Sequence, residues 1–164
     1  MRTRESFLTL ITELEGDYGE LRRIIVLNDR GWKRIVSGAD DPLDWGALGF
    51  TLHNMYGVLE NYFLRISKFF ENSLPSDRWH KALVEKMSLE IPGVRPALLR
   101  DPEERREVLE LLKFRHRLRN LYGEDLDSGK TSEVQAIAHD LTVRFSGIHE
   151  DFLRKLRSMA ESLP

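Results

Sequence analysis

The chain has 164 residues, 41% hydrophobic and 32% charged, a globular mixture of single-domain length that argues against global disorder. Twenty-five Lys and Arg against 27 Asp and Glu give a formal net charge of -2, which excludes a generally basic nucleic-acid coat but leaves room for a local basic patch. Cysteine is absent, so a disulfide framework, a thiol nucleophile and any Cys-ligated metal site are excluded.

The N-terminal stretch lacks the apolar region of a signal peptide. No run of about 18 apolar residues occurs anywhere. The expectation is a cytoplasmic protein without a membrane partner, folded as one helical domain over 1–164. Residues 1–40 form an N-terminal helix region, in which Phe7, Leu10, Ile11, Leu14, Tyr18, Leu21 and Ile25 recur at three- and four-residue steps. Gly16 and Gly19 interrupt this face and are candidates for a bend. Asp41-Pro42 reads as a helix start, a carboxylate cap followed by a residue whose missing N–H costs nothing there.

A second long helix is predicted over 43–72, lined by Leu48, Leu52, Met55, Leu59, Tyr62, Phe63, Ile66 and Phe70. Within it, Gly46-x-x-Gly49 suits close helix packing better than a phosphate cradle. Ser76 or Asp77 can cap a short helix over 78–87, and 91–96, with Pro92 and Pro96, reads as a folded-back loop. A third long helix is predicted over 101–122, closed by Gly123. Its first ten residues carry five acids and two bases, whereas 113–119 carry four bases and no acid, a gradient that complements the helix dipole. A turn over 127–131 precedes the last helix, 132–162, whose stripe is Val134, Ile137, Leu141, Phe145, Ile148, Phe152, Leu156 and Met159. The fold class is therefore all-α: an antiparallel four-helix bundle with a short extra helix between the second and third long ones.

Metal chemistry has no support in the spacing of the five histidines. None follows a Glu by three residues and no His-Glu-x-x-His occurs, so neither metal nor cofactor is expected. The third helix carries a different signal. With Leu111 at zero on an ideal helix, the apolar stripe spans roughly 280° to 60°, and Arg115 falls inside it at about 40°. A part-buried guanidinium needs a partner. Glu60, on the facing helix, is one candidate for a purely structural ion pair. The alternative is an anion site, since Arg115, Arg117 and Arg119 gather with Tyr122 at one helix end, and guanidinium forks match phosphate geometry.

The same helix carries a family resemblance. Phe114-Arg115-His116, then Asn120-Leu121-Tyr122, resembles the signature of HepT-like HEPN proteins, in which Phe-Arg-(Asn/His) is followed after three residues by His-x-Tyr. Leu52-His53 through Tyr56 to Glu60 resembles the family's Leu-His-x-x-Tyr-x-Gly-x-Glu segment. Trp79-His80-x-x-Leu83-x-x-x-Met87, followed by Pro92-Gly93-Val94-Arg95-Pro96, resembles its middle section. The ordered match covers 43–127.

The resemblance implies a HEPN bundle, normally a homodimer whose third-helix motifs face a shared cleft. It further implies the toxin half of a toxin–antitoxin pair, an RNA substrate cut without metal, and an MNT-type nucleotidyltransferase antitoxin. By position, the motif Arg that supports the phosphate is Arg115, the adjacent polar residue is His116, and the Tyr the partner modifies is Tyr122; on the anion-site reading Arg117 and Arg119 would contact RNA and Glu60 would stand behind Arg115. The motif His corresponds to Asn120, whose carboxamide cannot take a proton near pH 7. Three consequences stay open: a ribonuclease weakened by the missing base, one in which His116 has taken over proton transfer, or a non-cleaving module that binds a nucleotidyltransferase, nucleotide or RNA.

Overall fold

A computed structural model describes residues 1–71, 78–121 and 124–164. They form five helices: α1 (Arg4–Val36), α2 (Pro42–Phe70), α3 (Trp79–Met87), α4 (Pro102–Arg119) and α5 (Ser128–Glu161). Among the described residues there is no strand, only an isolated bridge between Ile91 and Arg95. The chain is all-α, as the periodicity predicts.

Caps set the helix starts. Thr3 and Ser6 form a capping box at α1, and Asp101 and Glu104 form another at α4. The Asp41 carboxylate accepts from the Leu43 N–H, with Pro42 as the first residue of α2. Two sequence-based boundaries move. α5 begins at Ser128 rather than 132, because the Asp127 carboxylate accepts from Lys130 N and makes the supposed turn the first turn of the helix. α4 ends at Arg119 rather than 122: the Asn120 N–H turns back to the carbonyls of Arg117 and Leu118. α1 continues as one helix through Gly16 and Gly19. The proposed caps Ser76 and Asp77 and the closing Gly123 lie outside the described residues. Arg78 occupies the N-cap position of α3, with φ at 53°.

Contacts between the long helices run in opposite directions. Phe7 meets Phe70 while Asn28 meets Thr51, so α1 and α2 are antiparallel. Tyr18 stacks on His149 while Glu15 pairs with Arg157 and Asn28 with Gln135, so α1 and α5 are too. Glu107 pairs with Arg144 and Arg100 with Asp151, giving the same sense to α4 and α5. α3 packs on α2 and α4. The core is the shared apolar face, with Leu52, Tyr56, Phe63, Phe145 and Phe152 at most 1% exposed. One polar layer crosses it. Asn28 and Gln135 exchange amide hydrogen bonds at 2.8 and 2.7 Å, and Asn28 also donates to the Thr51 hydroxyl at 2.8 Å.

The loop after α3 folds around Arg95, whose side chain is fully buried. Its Nε donates to Glu71 at 2.6 Å, and its other nitrogens donate to the carbonyls of Lys86 and Leu89 at 2.8 and 2.9 Å. This anchorage seats α3 against α2 and α4. Only half of Gly46-x-x-Gly49 is a packing site. A Cβ on Gly49 would lie 2.6 Å from Leu126 Cδ1 and 3.5 Å from Phe114 Cζ, whereas one on Gly46 would meet nothing within 4 Å.

Candidate functional site

The third-helix motif divides between the bundle interior and the surface. Arg115 leaves α4 toward α2, with 18% of its side chain exposed. Its guanidinium sits 5.6 Å above the Tyr56 ring, and one terminal nitrogen lies 3.9 Å from Glu60 Oε2. The separation makes this a loose ion pair rather than a bidentate fork. Its Nε is buried with no hydrogen-bond partner among the described residues. A buried donor of this kind carries an unpaid desolvation cost that an incoming acceptor would relieve.

The same Glu60 oxygen has a closer partner. His80, in the first turn of α3, donates from Nδ1 to Glu60 Oε2 at 2.6 Å. The His80 ring stacks on Trp79 with centroids 3.8 Å apart, which fixes its plane. His116, on α4, stands edge-on to His80 at 6.4 Å between centroids. The Tyr56 hydroxyl is buried beside the Glu60 carboxylate. Burial first, and then the nearby Glu60 carboxylate, push its pKa far above the ordinary phenol value, so Tyr56 stays neutral. Arg115, Glu60, His80, His116 and Tyr56 thus come from three helices to one place.

Two concavities flank His116. Between α3 and α4 lies a cavity of about 700 Å³, with Leu109 and Leu112 among its apolar lining, His80 and His116 on one side, and Arg78, Lys81 and Lys113 around it. On the other side of α4, a cavity of about 470 Å³ is lined by His116, Arg117 and Asn120 together with Glu124, Asp125 and Asp127. The two differ in charge: four bases and one carboxylate, Glu110, line the first, whereas three carboxylates and two bases, Arg117 and Lys130, line the second.

The predicted cluster of three arginines is therefore not one patch. Arg115 and Arg117 are about 200° apart around an ideal helix. Arg115 turns inward, while Arg117 and Arg119 are exposed. Asn120 is exposed at the C-cap and shares the acidic cavity with His116 and Arg117, whereas Arg115 faces Glu60. Tyr122 lies outside the described residues. Sequence reasoning singled out Arg115, Glu60 and His116 but not His80, whose only signal was its place in the Trp79-His80 segment. Among the described residues no three His, Asp or Glu side chains gather as a metal set, and no helix is long and apolar enough to cross a membrane.

A family model described as HepT-like protein matches residues 47–156, from the first turns of α2 to near the end of α5. No curated protein and no solved structure matches.

Proposed function

The chain belongs to the HepT-like family, and from that premise we propose that it is a HEPN-type endoribonuclease acting without a metal ion, the toxin member of a toxin–antitoxin pair. The observation that carries this reading is Arg115. It is a part-buried guanidinium held loosely by Glu60, over an aromatic ring, with a buried N–H that has no acceptor among the described residues. A phosphate arriving at this group would gain a charge-assisted partner in a partly dry site, where developing negative charge is stabilised most strongly. Arg115 is accordingly the phosphate-supporting residue. Proton transfer falls to His116 rather than to position 120, because His116 borders both cavities while Asn120 has no group that titrates near neutrality.

Family membership supports the remaining parts of the proposal. The protein acts as a homodimer in which α4 of two subunits face a shared cleft. It pairs with an MNT-type nucleotidyltransferase that modifies Tyr122, in the cytoplasm, with RNA engaging Arg117 and Arg119 at the cleft margin. Sedimentation at micromolar concentration tests the dimer, a monomer counting against it.

The deciding assay is cleavage of single-stranded RNA in EDTA. Wild type cleaves, and Arg115→Ala loses about 10²–10³-fold, the usual cost of removing one preorganised donor. The Asn at position 120 favours one other reading, a non-cleaving module that binds the nucleotidyltransferase. An inert wild type that still binds such a partner tightly would select it.

A further inference from the structure

We propose that His80 and His116 are the proton-transfer pair of this protein, acting on a ribose-phosphate seated in the α3–α4 cavity, and that Glu60 is the positioning residue for His80. This inference rests on the ribonuclease reading above, which names His116 alone, and adds the site, the second imidazole and its positioning carboxylate.

Four observations converge on this cavity. First, His80 is already built as a base. Its Nδ1–H is held by a carboxylate at 2.6 Å, which leaves Nε2 with its lone pair for a ligand, and the Trp79 ring holds the imidazole plane. A carboxylate behind an imidazole selects the tautomer and stabilises the imidazolium that forms when a proton is taken. Second, His116 lies 6.4 Å away with its ring turned by 85°. The two imidazoles are too far apart to bond one another and are spaced to flank a phosphate. Third, the cavity of about 700 Å³ combines the apolar side chains of Leu109 and Leu112, able to receive a base or sugar, with four bases, Arg78, Lys81, Arg106 and Lys113, against one carboxylate, Glu110, which Lys113 already holds at 2.8 Å. The cavity beside Asn120 sets three carboxylates against two bases, Arg117 and Lys130, a balance less favourable to a phosphate. Fourth, Arg78 is the one non-glycine with positive φ among the described residues, and it lines this cavity. Backbone held in the left-handed region clusters at functional sites.

The chemistry balances without any further reactant. Neutral His80 takes the proton of the ribose 2′-hydroxyl through Nε2. The 2′-oxygen attacks the adjacent phosphorus, forming the P–O2′ bond. The P–O5′ bond breaks, and the departing 5′-oxygen takes a proton from the His116 imidazolium. The products are a 2′,3′-cyclic phosphate and a 5′-hydroxyl. Arg115 is not part of the cavity lining but sits behind it, 3.9 Å from the Glu60 oxygen that His80 holds, so its charge reaches the phosphate from beside the same carboxylate that positions the base.

The test is a cleavage assay on a short single-stranded RNA in EDTA, with products identified by mass spectrometry and the fold of each variant checked by circular dichroism. Wild type is expected to leave a 2′,3′-cyclic phosphate. His80→Ala and His116→Ala are each expected to lose about 10²–10⁴-fold, the range of general acid–base catalysis. Added imidazole should restore activity to His80→Ala, because the vacated space adjoins an open cavity. His80→Asn retains a donor for Glu60 and so protects the packing, yet it should remain inactive. If His80→Ala or His116→Ala keeps the wild-type rate while Arg115→Ala loses it, the imidazole pair is wrong and the ribonuclease reading survives. Loss in the His80 variants with no response to imidazole marks a structural role and also overturns the pair. A wild type inert on RNA overturns both.

Discussion

The Tyr62 hydroxyl and His149 Nδ1 meet at 2.8 Å inside the core, with the imidazole stacked on Tyr18 at 4.2 Å. Burial is the main reason the His149 pKa is lowered. Glu15 and Glu150 oppose the shift and Arg157 adds to it. The neutral ring and the Tyr62 hydroxyl share this one hydrogen bond. The unfolded chain binds this proton near the ordinary value of about 6.5, and the folded chain binds it only at lower pH. The stabilisation is therefore complete above that value and is lost as pH falls below it. Thermal melts should show a midpoint that drops as pH goes below about 6.5, and His149→Gln should flatten that part of the curve. An unchanged slope in His149→Gln would assign the acid sensitivity to other groups.

The two glycines of Gly46-x-x-Gly49 should respond in opposite directions. Gly46 is an exposed helical position with open space, so Gly46→Ala should gain up to about 1 kcal/mol from helix propensity alone. Gly49→Val should lose about 1–3 kcal/mol, because the added atoms must displace Leu126 and press on Phe114. Denaturant titration distinguishes the two in one experiment.

Arg95→Ala should be among the most damaging single changes outside the apolar core. It would strip Glu71 of its closest cation and leave the carbonyls of Lys86 and Leu89 without this donor. Glu71 keeps Lys86 at 2.8 Å, so the change should cost less than the roughly 3–5 kcal/mol of a buried pair broken outright. Arg95→Lys should recover little, since a single ammonium cannot span the same three acceptors. The midpoint of urea unfolding reads both outcomes.

Asn120→His should change RNA cleavage by less than about threefold if proton transfer is centred on His116, because position 120 opens onto the acidic cavity on the other side of α4. A large gain of activity would instead place the missing base at 120. Tyr122→Phe should leave cleavage and stability in place and abolish any modification by a nucleotidyltransferase partner, read as the absence of a mass increase after incubation with that partner and ATP.

Periodicity made most of this architecture legible. Every residue named for the apolar stripe of α2 is buried, because a 29-residue amphipathic helix gives the 3.6-residue signal many turns in which to repeat. The same arithmetic places Arg115 inside the apolar stripe; Glu60 is one candidate partner on the facing helix, and the two groups lie 3.9 Å apart. The ends were harder to read. Whether Asp127 begins a helix depends on one side-chain hydrogen bond, and Asn120 ends one through backbone bonds that no pattern of apolar residues records. His80 was missed for a different reason. Its meaning comes from Glu60, twenty residues earlier on another helix, and from His116 on a third. Nothing in the local spacing of α3 distinguishes that imidazole from a half-buried one with no task.

The reciprocal amide pair of Asn28 and Gln135 bears on which bundle the sequence selects. Apolar stripes on α1 and α5 are tolerant of sliding, since leucine-rich ridges one turn apart, about 5.4 Å, offer nearly equivalent grooves. The amides are not tolerant. Any slipped register would carry two donors and two acceptors into hydrocarbon without partners, and each bare group costs about 1–3 kcal/mol. Two side chains separated by 107 positions in sequence thus act as a key between the first helix and the last. Replacing both with leucine should leave a bundle that is no less stable but is free to sample more than one alignment, and His149 would then lose its fixed address beside Tyr62 and Tyr18.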